Sequence, residues 1–334
     1  MSELALSSIR RIALGGVLLC IVVVVLGAFT RLVDAGLGCP DWPGCYGHLL
    51  WPDTADEIAR ADQAYPDMPV DLDKTWPEMV HRYVAGTLLL LVLGLTIVGQ
   101  RNKHALEGSP IPKLSIVLLA LIVTQAAFGA WTVTLKLWPQ VVTAHLLGGF
   151  ATLSMLWTIF LLANGAPSLS LTQATRTRIG LWAKLALAVT IVQIALGGWV
   201  SSNYAALACA DFPTCFGSYN PTMKWLDGFN IFQSVGPNYL GGQLESEARV
   251  AIHWTHRLGA IVVLVVVGML ALKLLLAHRG LSIALAGILL LQILLGSLNV
   301  LWALPLWVAT LHNAVGAMLL LALVTVNFAP AREP

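Results

Sequence analysis

Apolar residues dominate eight stretches, near 11–33, 79–99, 114–135, 141–163, 182–202, 250–274, 281–301 and 306–328. The segments between them carry most of the charge. A helix rising about 1.5 Å per residue needs about 20 apolar residues to cross a bilayer core of about 30 Å. The pattern therefore predicts eight membrane-spanning helices. Two connections, at Trp138-Pro139-Gln140 and Ala303-Leu304-Pro305, are short enough to make tight helical hairpins. Two others, 34–77 and 203–249, are long. The first apolar stretch is too long for a signal peptide and lacks a small-residue cleavage site, so it reads as structure.

Composition agrees. Of 334 residues, 57% are hydrophobic and 11% charged, with a mean hydropathy of +0.79. A soluble domain carries about 25% charged residues. A cytosolic enzyme, a disordered chain and a nucleic-acid binder are excluded. The net charge of +2 says little as a sum. Its distribution says more. If the N-terminus is inside, the inner segments hold Arg10, Arg11, Arg101, Lys103, Lys113, Arg176, Arg178, Lys184, Lys273, Arg279 and Arg332, against Glu3, Glu107 and Glu333. The positive-inside rule then puts both termini in the cytoplasm and both long loops outside. With no Arg-rich presequence visible, the expected location is a bacterial plasma membrane.

The chain also repeats. GAFTRLVDAGLGCPDWPGCYG at 27–47 aligns without a gap on GGWVSSNYAALACADFPTCFG at 197–217. Cys39, Asp41, Pro43, Cys45 and Gly47 recur as Cys209, Asp211, Pro213, Cys215 and Gly217. His81-Arg82 recurs as His256-Arg257; Val141, Thr143 and His145 recur as Val308, Thr310 and His312; Gln125 and Gly129 recur as Gln292 and Gly296. The expected architecture is an all-α polytopic protein of two tandem four-helix bundles, 1–165 and 166–334. Because each half has an even number of spans, a pseudo-two-fold along the membrane normal relates them.

The histidines carry the candidate chemistry. His104 and His278 fall in cytoplasmic connections, and His48 in the first outer loop. His81, His145, His256 and His312 open the second, fourth, sixth and eighth spans, one layer near the outer leaflet. Ionisable residues at membrane depth are costly and mark function. Two imidazoles from facing helices of one apolar bundle suit an axially ligated haem. Zinc needs a third or fourth ligand. Each half thus offers one site, His81 with His145 and His256 with His312. Arg82 and Arg257 follow two of these ligands and can pair with haem propionates; Arg31, with Ser201 as its repeat-mate, is a weaker candidate.

The repeat breaks at one informative place. Residues 78–82 read EMVHR and 253–257 read HWTHR, so His253 replaces Glu78. Glu78 lies three residues before His81 and shares its helix face. A carboxylate beside a haem can act as acid, base or cation stabiliser. His253 stands as a ligand, a partner of a ligand, or an interface residue. Cys20 reads as packing. An oxidising outer compartment predicts the disulfides Cys39–Cys45 and Cys209–Cys215. Loop staples, a redox-active dithiol and a four-Cys zinc site all remain open for them.

Together these residues resemble the haem A synthase family over nearly the whole length. The resemblance rests on eight spans, tandem halves, four outer histidines, Glu78-x-x-His81-Arg82 and the paired outer cysteines. It implies an oxidoreductase that converts a ring methyl of haem O to the formyl of haem A by successive hydroxylations, with water as oxygen source, for cytochrome oxidase. It implies haem b as cofactor on His256 and His312, haem O as substrate at His81 and His145, Glu78 as the functional carboxylate, and Cys39 and Cys45 as assistants in the redox chemistry. Further implied partners are an electron acceptor and the haem O-producing farnesyltransferase. Two rival classes fit the spans: a bis-His b-type electron-transfer cytochrome, which needs no Glu78, and a transporter of parallel repeats, which needs no haem.

Overall fold

The computed structural model describes residues 3–164, 169–170, 173–328 and 331–332. Glu333, the 165/166 boundary between the expected halves, and the side chains of Arg176, Arg178 and Arg332 lie outside the described residues. The chain runs α1 (Glu3–Leu32), α2 (Ala55–Ala64), α3 (Leu72–Arg101), α4 (Ile111–Thr134), α5 (Pro139–Asn164), β1 (Leu169–Ser170), α6 (Gln173–Ser202), α7 (Trp225–Gly228), α8 (Ser246–Leu274), α9 (Arg279–Leu301), α10 (Leu306–Phe328) and β2 (Ala331–Arg332). Among the described residues, eight helices (α1, α3, α4, α5, α6, α8, α9 and α10) are long and apolar enough to cross a membrane. In hydrocarbon every backbone N–H and C=O must be satisfied within its own segment, and the helix does this. The remaining regular structure is minor: β1 and β2 form a two-residue parallel pair.

Several helices outrun their apolar stretches. The apolar stretch 79–99 predicts a later start than α3 has, because its first turns are polar: Asp71 accepts the Asp73 N–H as N-cap and starts the helix at Leu72. Likewise α8 begins at Ser246. His81 and His256 therefore sit about three turns inside their helices rather than at the openings. The short hairpins form as expected. In both, two residues turn with positive φ: Lys136 and Leu137 in one, Ala303 and Leu304 in the other.

Packing proceeds in two cycles. Helix α1 touches α3 and α5, and α4 touches α3 and α5; α8 touches α6 and α9, and α10 touches α6 and α9. Contacts of α10 with α1 and α5, and of α5 with α6, join the cycles. Half of the apolar window of α10 is buried, against a third or less for the others, which marks it as the innermost helix.

The dry core lies on one side of the histidines. One cluster gathers Ile9, Val17, Val92, Leu95, Leu118, Leu153, Leu156 and Ile159; another gathers Val267, Leu270, Leu274, Leu285 and Leu323. Both sit toward the helix ends opposite the long loops. Smaller clusters around Cys39–Cys45 and Cys209–Cys215 lie beyond the histidines on the loop side. The histidine layer is thus bracketed by a leucine-rich floor and disulfide-closed caps.

Repeat-mates also meet. Arg31 Nη2 donates to the carbonyl of Ser201 at 2.6 Å, and Tyr204 Oη donates to Asp34 Oδ1 at 2.8 Å. Each pair joins positions that the sequence repeat aligns. The Arg31 guanidinium also lies 4.1 Å above the Tyr204 ring. A fluorescent protein fused at the C-terminus is expected to mature in the cytoplasm, and an alkaline phosphatase fused there to stay inactive. An active phosphatase would reverse the orientation drawn from the charges.

Candidate functional site

The two caps are built alike. Cys39–Cys45 and Cys209–Cys215 are both closed as disulfides, with Cα–Cα separations of 4.8 and 4.9 Å. This bears out both expected pairings, and cysteines so joined leave no thiolates for a zinc cage. Asp41 closes the first loop by accepting the N–H groups of Tyr46 and Gly47 at 2.6 and 2.8 Å. Asp211 does the same for Phe216 and Gly217 at 2.6 and 2.9 Å and also accepts the Thr214 hydroxyl at 2.5 Å. The Thr214 hydroxyl, then the Gly217 and Phe216 N–H groups, hold the Asp211 carboxyl down at about 2, against an ordinary 3.8. Gly38 is required where the first cap meets α3, because a Cβ there would stand 2.3 Å from the Lys74 carbonyl oxygen.

Beneath the caps each histidine rests on a glycine of a neighbouring helix. A Cβ on Gly27 would lie 3.0 Å from Cε1 of His81, on Gly129 3.5 Å from that of His145, on Gly197 3.2 Å from that of His256, and on Gly296 3.1 Å from that of His312. Helices α1 and α3, α4 and α5, α6 and α8, and α9 and α10 are thereby seated around imidazoles. Helices α3 and α5 both pack on α1 and α4, and α8 and α10 both pack on α6 and α9, so each cycle carries one pair of these histidines. Nδ1 of His81, His145 and His312 is buried without a hydrogen-bond partner. Among the described residues no group of three or more His, Cys, Asp or Glu could hold a metal ion. Imidazole pairs with unspent nitrogens and no third donor among the described residues would suit a haem iron better than a zinc cage.

The arginines after the histidines hold the caps. Arg82 Nη1 donates to the carbonyls of Asp41 and Gly44 at 3.0 and 2.5 Å. Its Nη2 donates to Glu78 Oε1 at 2.5 Å. The other oxygen of Glu78 accepts the Cys39 N–H at 3.0 Å. Glu78 is buried, with 5% of its surface exposed. In the second half, Arg257 Nη1 and Nη2 donate to the carbonyls of Thr214 and Cys209 at 2.8 and 2.7 Å. Arg257 Nε donates to His253 Nε2 at 2.8 Å, and His253 Nδ1 lies 2.8 Å from the Ala205 carbonyl oxygen. The first bond makes Nε2 an acceptor and the second makes Nδ1 the protonated nitrogen. His253 is a neutral imidazole with both nitrogens committed, and it fills the structural place of Glu78 as partner of the arginine.

Some of this lay outside the sequence reading. The short helix α2 inside the first cap carries a full capping box, Thr54 with Glu57. The Thr-x-x-Glu spacing was a usable signal. His278, placed by the sequence only in a connection between spans, accepts the Leu281 N–H at 3.1 Å and caps α9. Cys20 is buried and unpaired, as expected of a packing residue. Gln193 reaches His256, with its Nε2 3.1 Å from Nδ1. That residue has no glutamine repeat-mate, so the repeat did not announce it.

The sequence matches the COX15-CtaA family, described as cytochrome oxidase assembly proteins, over residues 10–324. The chain belongs to that family. It is 43% identical over 310 residues, 92% of each chain, to a haem A synthase of Shewanella oneidensis. A haem A synthase of Parvibaculum lavamentivorans is 27% identical over 328 residues, 91% of this chain and 89% of its own. One from Caulobacter sp. strain K31 is 28% identical over 341 residues, 93% and 92%. The chain of this COX15-CtaA member therefore aligns nearly end to end with its relatives.

Two measurements check the site. Because the Asp211 carboxyl is held down, its grip on the second cap is complete above its ordinary value near 3.8 and is lost as pH falls through about 2. Asp211→Asn is expected to speed phosphine reduction of Cys209–Cys215 between pH 7 and 4, with the difference from the parent shrinking at lower pH. Equal rates at pH 7 would show that the carboxylate does not hold the cap. Gly296→Val is expected to force the His312 ring aside and cost about 1–3 kcal/mol, read as a lower thermal midpoint. An unchanged midpoint would mean that the helices part there without strain.

Proposed function

We propose that this chain is a haem A synthase, an oxidoreductase that converts a ring methyl of haem O to the formyl of haem A for cytochrome oxidase assembly. The family and the 43% identical relative support the activity. The observation that carries the finer assignment is a single asymmetry between two matching sites. A buried carboxylate, Glu78, lies beside His81, and a neutral imidazole, His253, fills the same place beside His256. A site that only holds a cofactor needs no acid–base group. A site that oxidises a methyl does.

The chain is read as two four-helix halves, about 1–165 and 166–334, related by a pseudo-two-fold along the membrane normal. The matched helix cycles and the contacts between repeat-mates at Arg31–Ser201 and Asp34–Tyr204 support this. His256 and His312 hold haem b; His81 and His145 receive the iron of haem O from the outer leaflet. When bound, haem b supplies a one-electron redox centre beside the substrate. Converting the methyl to the formyl with one water releases four electrons and four protons, so an external electron acceptor completes the reaction. Glu78 is held at Oε1 by Arg82 and at Oε2 by the Cys39 N–H, which fixes a carboxylate where it can take a proton or face positive charge at the reacting carbon. Arg82 and Arg257 tie the caps to the histidine helices, and their remaining N–H groups are the candidates for propionates. Cys39–Cys45 abuts Glu78 through the Cys39 amide and is the candidate redox pair; Cys209–Cys215 staples the second cap. Both termini are placed in the cytoplasm of a bacterial inner membrane, with a haem O-producing farnesyltransferase as the natural donor of an insoluble substrate.

Glu78→Gln is expected to keep a full b-type spectrum and lose at least about 100-fold in haem A formation. Haem A at the parental rate would overturn the role of Glu78. His256→Ala and His312→Ala are each expected to lose the stable b-type spectrum; an unchanged spectrum would overturn the cofactor assignment.

A further inference from the structure

We propose that Gln193, Gln292 and Gln125 are positioning residues for the imidazoles of His256, His312 and His145, and that Val23 leaves His81 as the exchangeable ligand. The proposal rests on the reading that these histidines ligate haem.

The pattern is written in the helices that face the histidines. Each carries the glycine on which an imidazole rests, and four residues earlier stands Gln193 before Gly197, Gln292 before Gly296 and Gln125 before Gly129. The fourth helix breaks the pattern, with Val23 before Gly27. Gln193 Nε2 lies 3.1 Å from His256 Nδ1 and donates to the His256 carbonyl at 2.9 Å. Gln292 Nε2 lies 3.2 Å from His312 Nε2. Gln125 points its amide at α5 beside His145, against Gly148. Val23 has no polar side-chain atom to offer His81.

Room for two of the amides is made on the histidine's own helix. A Cβ on Gly259 would stand 2.1 Å from Gln193 Oε1 and on Gly148 1.8 Å from Gln125 Nε2, whereas on Gly316 it would be at ordinary contact with Gln292 Nε2, 3.4 Å. Val84 is the repeat-mate of Gly259. The Gln193–Gly259 pair of the second half is therefore a Val23–Val84 pair in the first: the amide and the space for it are lost together.

Gln193 lies against Nδ1 of His256 and Gln292 against Nε2 of His312, while Oε1 of Gln125, Gln193 and Gln292 is buried without a partner. An imidazole that gives one nitrogen to iron carries N–H on the other, and an amide carbonyl is the acceptor such a group needs. Rotation of the amide presents that carbonyl, at Gln193 in exchange for the bond its Nε2 makes to the His256 carbonyl. The bond fixes the ring and raises its basicity, which tightens ligation and stabilises ferric iron. A resident cofactor gains from both. A substrate that must leave as product does not, and the ligand beside Glu78 is the one without an amide.

The test uses the full-length protein in mild detergent. Gln193→Leu is expected to raise the midpoint potential of haem b and to speed its transfer to excess apomyoglobin about 10- to 100-fold. Gln193→Glu, a stronger acceptor, is expected to move the potential the other way. A packing role would shift both variants alike or neither, and that result overturns the proposal. If Gln193→Leu does not accumulate, Gln292→Leu carries the same expectation. In the first half, Val23→Gln with Val84→Gly is expected to slow release of loaded haem O by a similar factor; unchanged release overturns the role of Val23. A parent protein that binds no haem b at all would instead bring down the cofactor reading beneath it.

Discussion

Each of the four imidazoles lies against a glycine of a neighbouring helix: His81 against Gly27, His145 against Gly129, His256 against Gly197 and His312 against Gly296. A Cβ would crowd the ring at Gly27, Gly197 and Gly296, and would stand at ordinary contact at Gly129. Much of the packing around the histidines follows from these close approaches. The glycines set how near α1 comes to α3, α4 to α5, α6 to α8 and α9 to α10, and the leucine-rich floor on one side holds those distances. Polar atoms in hydrocarbon are expensive unless they have a partner or a purpose. Buried imidazole nitrogens without partners are the physical feature on which the proposed haem sites rest.

The caps solve a second problem. An outer loop of over forty residues is floppy by default, yet the chemistry needs a fixed roof near the histidines. Each disulfide loop is tightened by an aspartate that accepts its amides, then anchored by an arginine one residue after a histidine. The arginine belongs to the histidine's helix, so each cap is tied directly to a helix that carries a histidine. In the first half that anchoring arginine is also the partner of Glu78, and the Cys39 amide is the other partner. Disulfide, carboxylate and histidine thus form one connected group. In the second half His253 completes the anchor without adding a charge.

The sequence repeat sets two histidine pairs on matching helices, and it fails at few places. On the proposed function, reaction and cofactor binding are divided between the two pairs by those few substitutions. Glu78 against His253, Val23 against Gln193 and Val84 against Gly259 all separate the same two sites in the same sense. On the proposed function, each makes the first site the more reactive or the more open to exchange. Arg31 and Tyr204 add one more break, at the junction of the halves, where an arginine unmatched in the second half bonds the main chain of its own repeat-mate.

The sequence by itself determined whatever depends on neighbours along the chain. Spans were legible because length and apolarity decide whether a helix crosses a membrane. The repeat, the four histidines and both disulfide loops were legible because they recur at fixed offsets. The break at Glu78 was visible for the same reason. Tertiary structure alone decided which donors those residues spend on one another. Arg82 and Arg257 looked free for propionates, but their donors reach loop carbonyls some forty residues away. His253 was undecided until Ala205 and Arg257 claimed its two nitrogens. Gln193 had no glutamine as repeat-mate to point to it, and its meaning appears only against the ring of His256 on another helix. Hydrogen bonds between distant segments leave no period in a sequence, because their geometry is set by how helices pack and not by the order of residues within them.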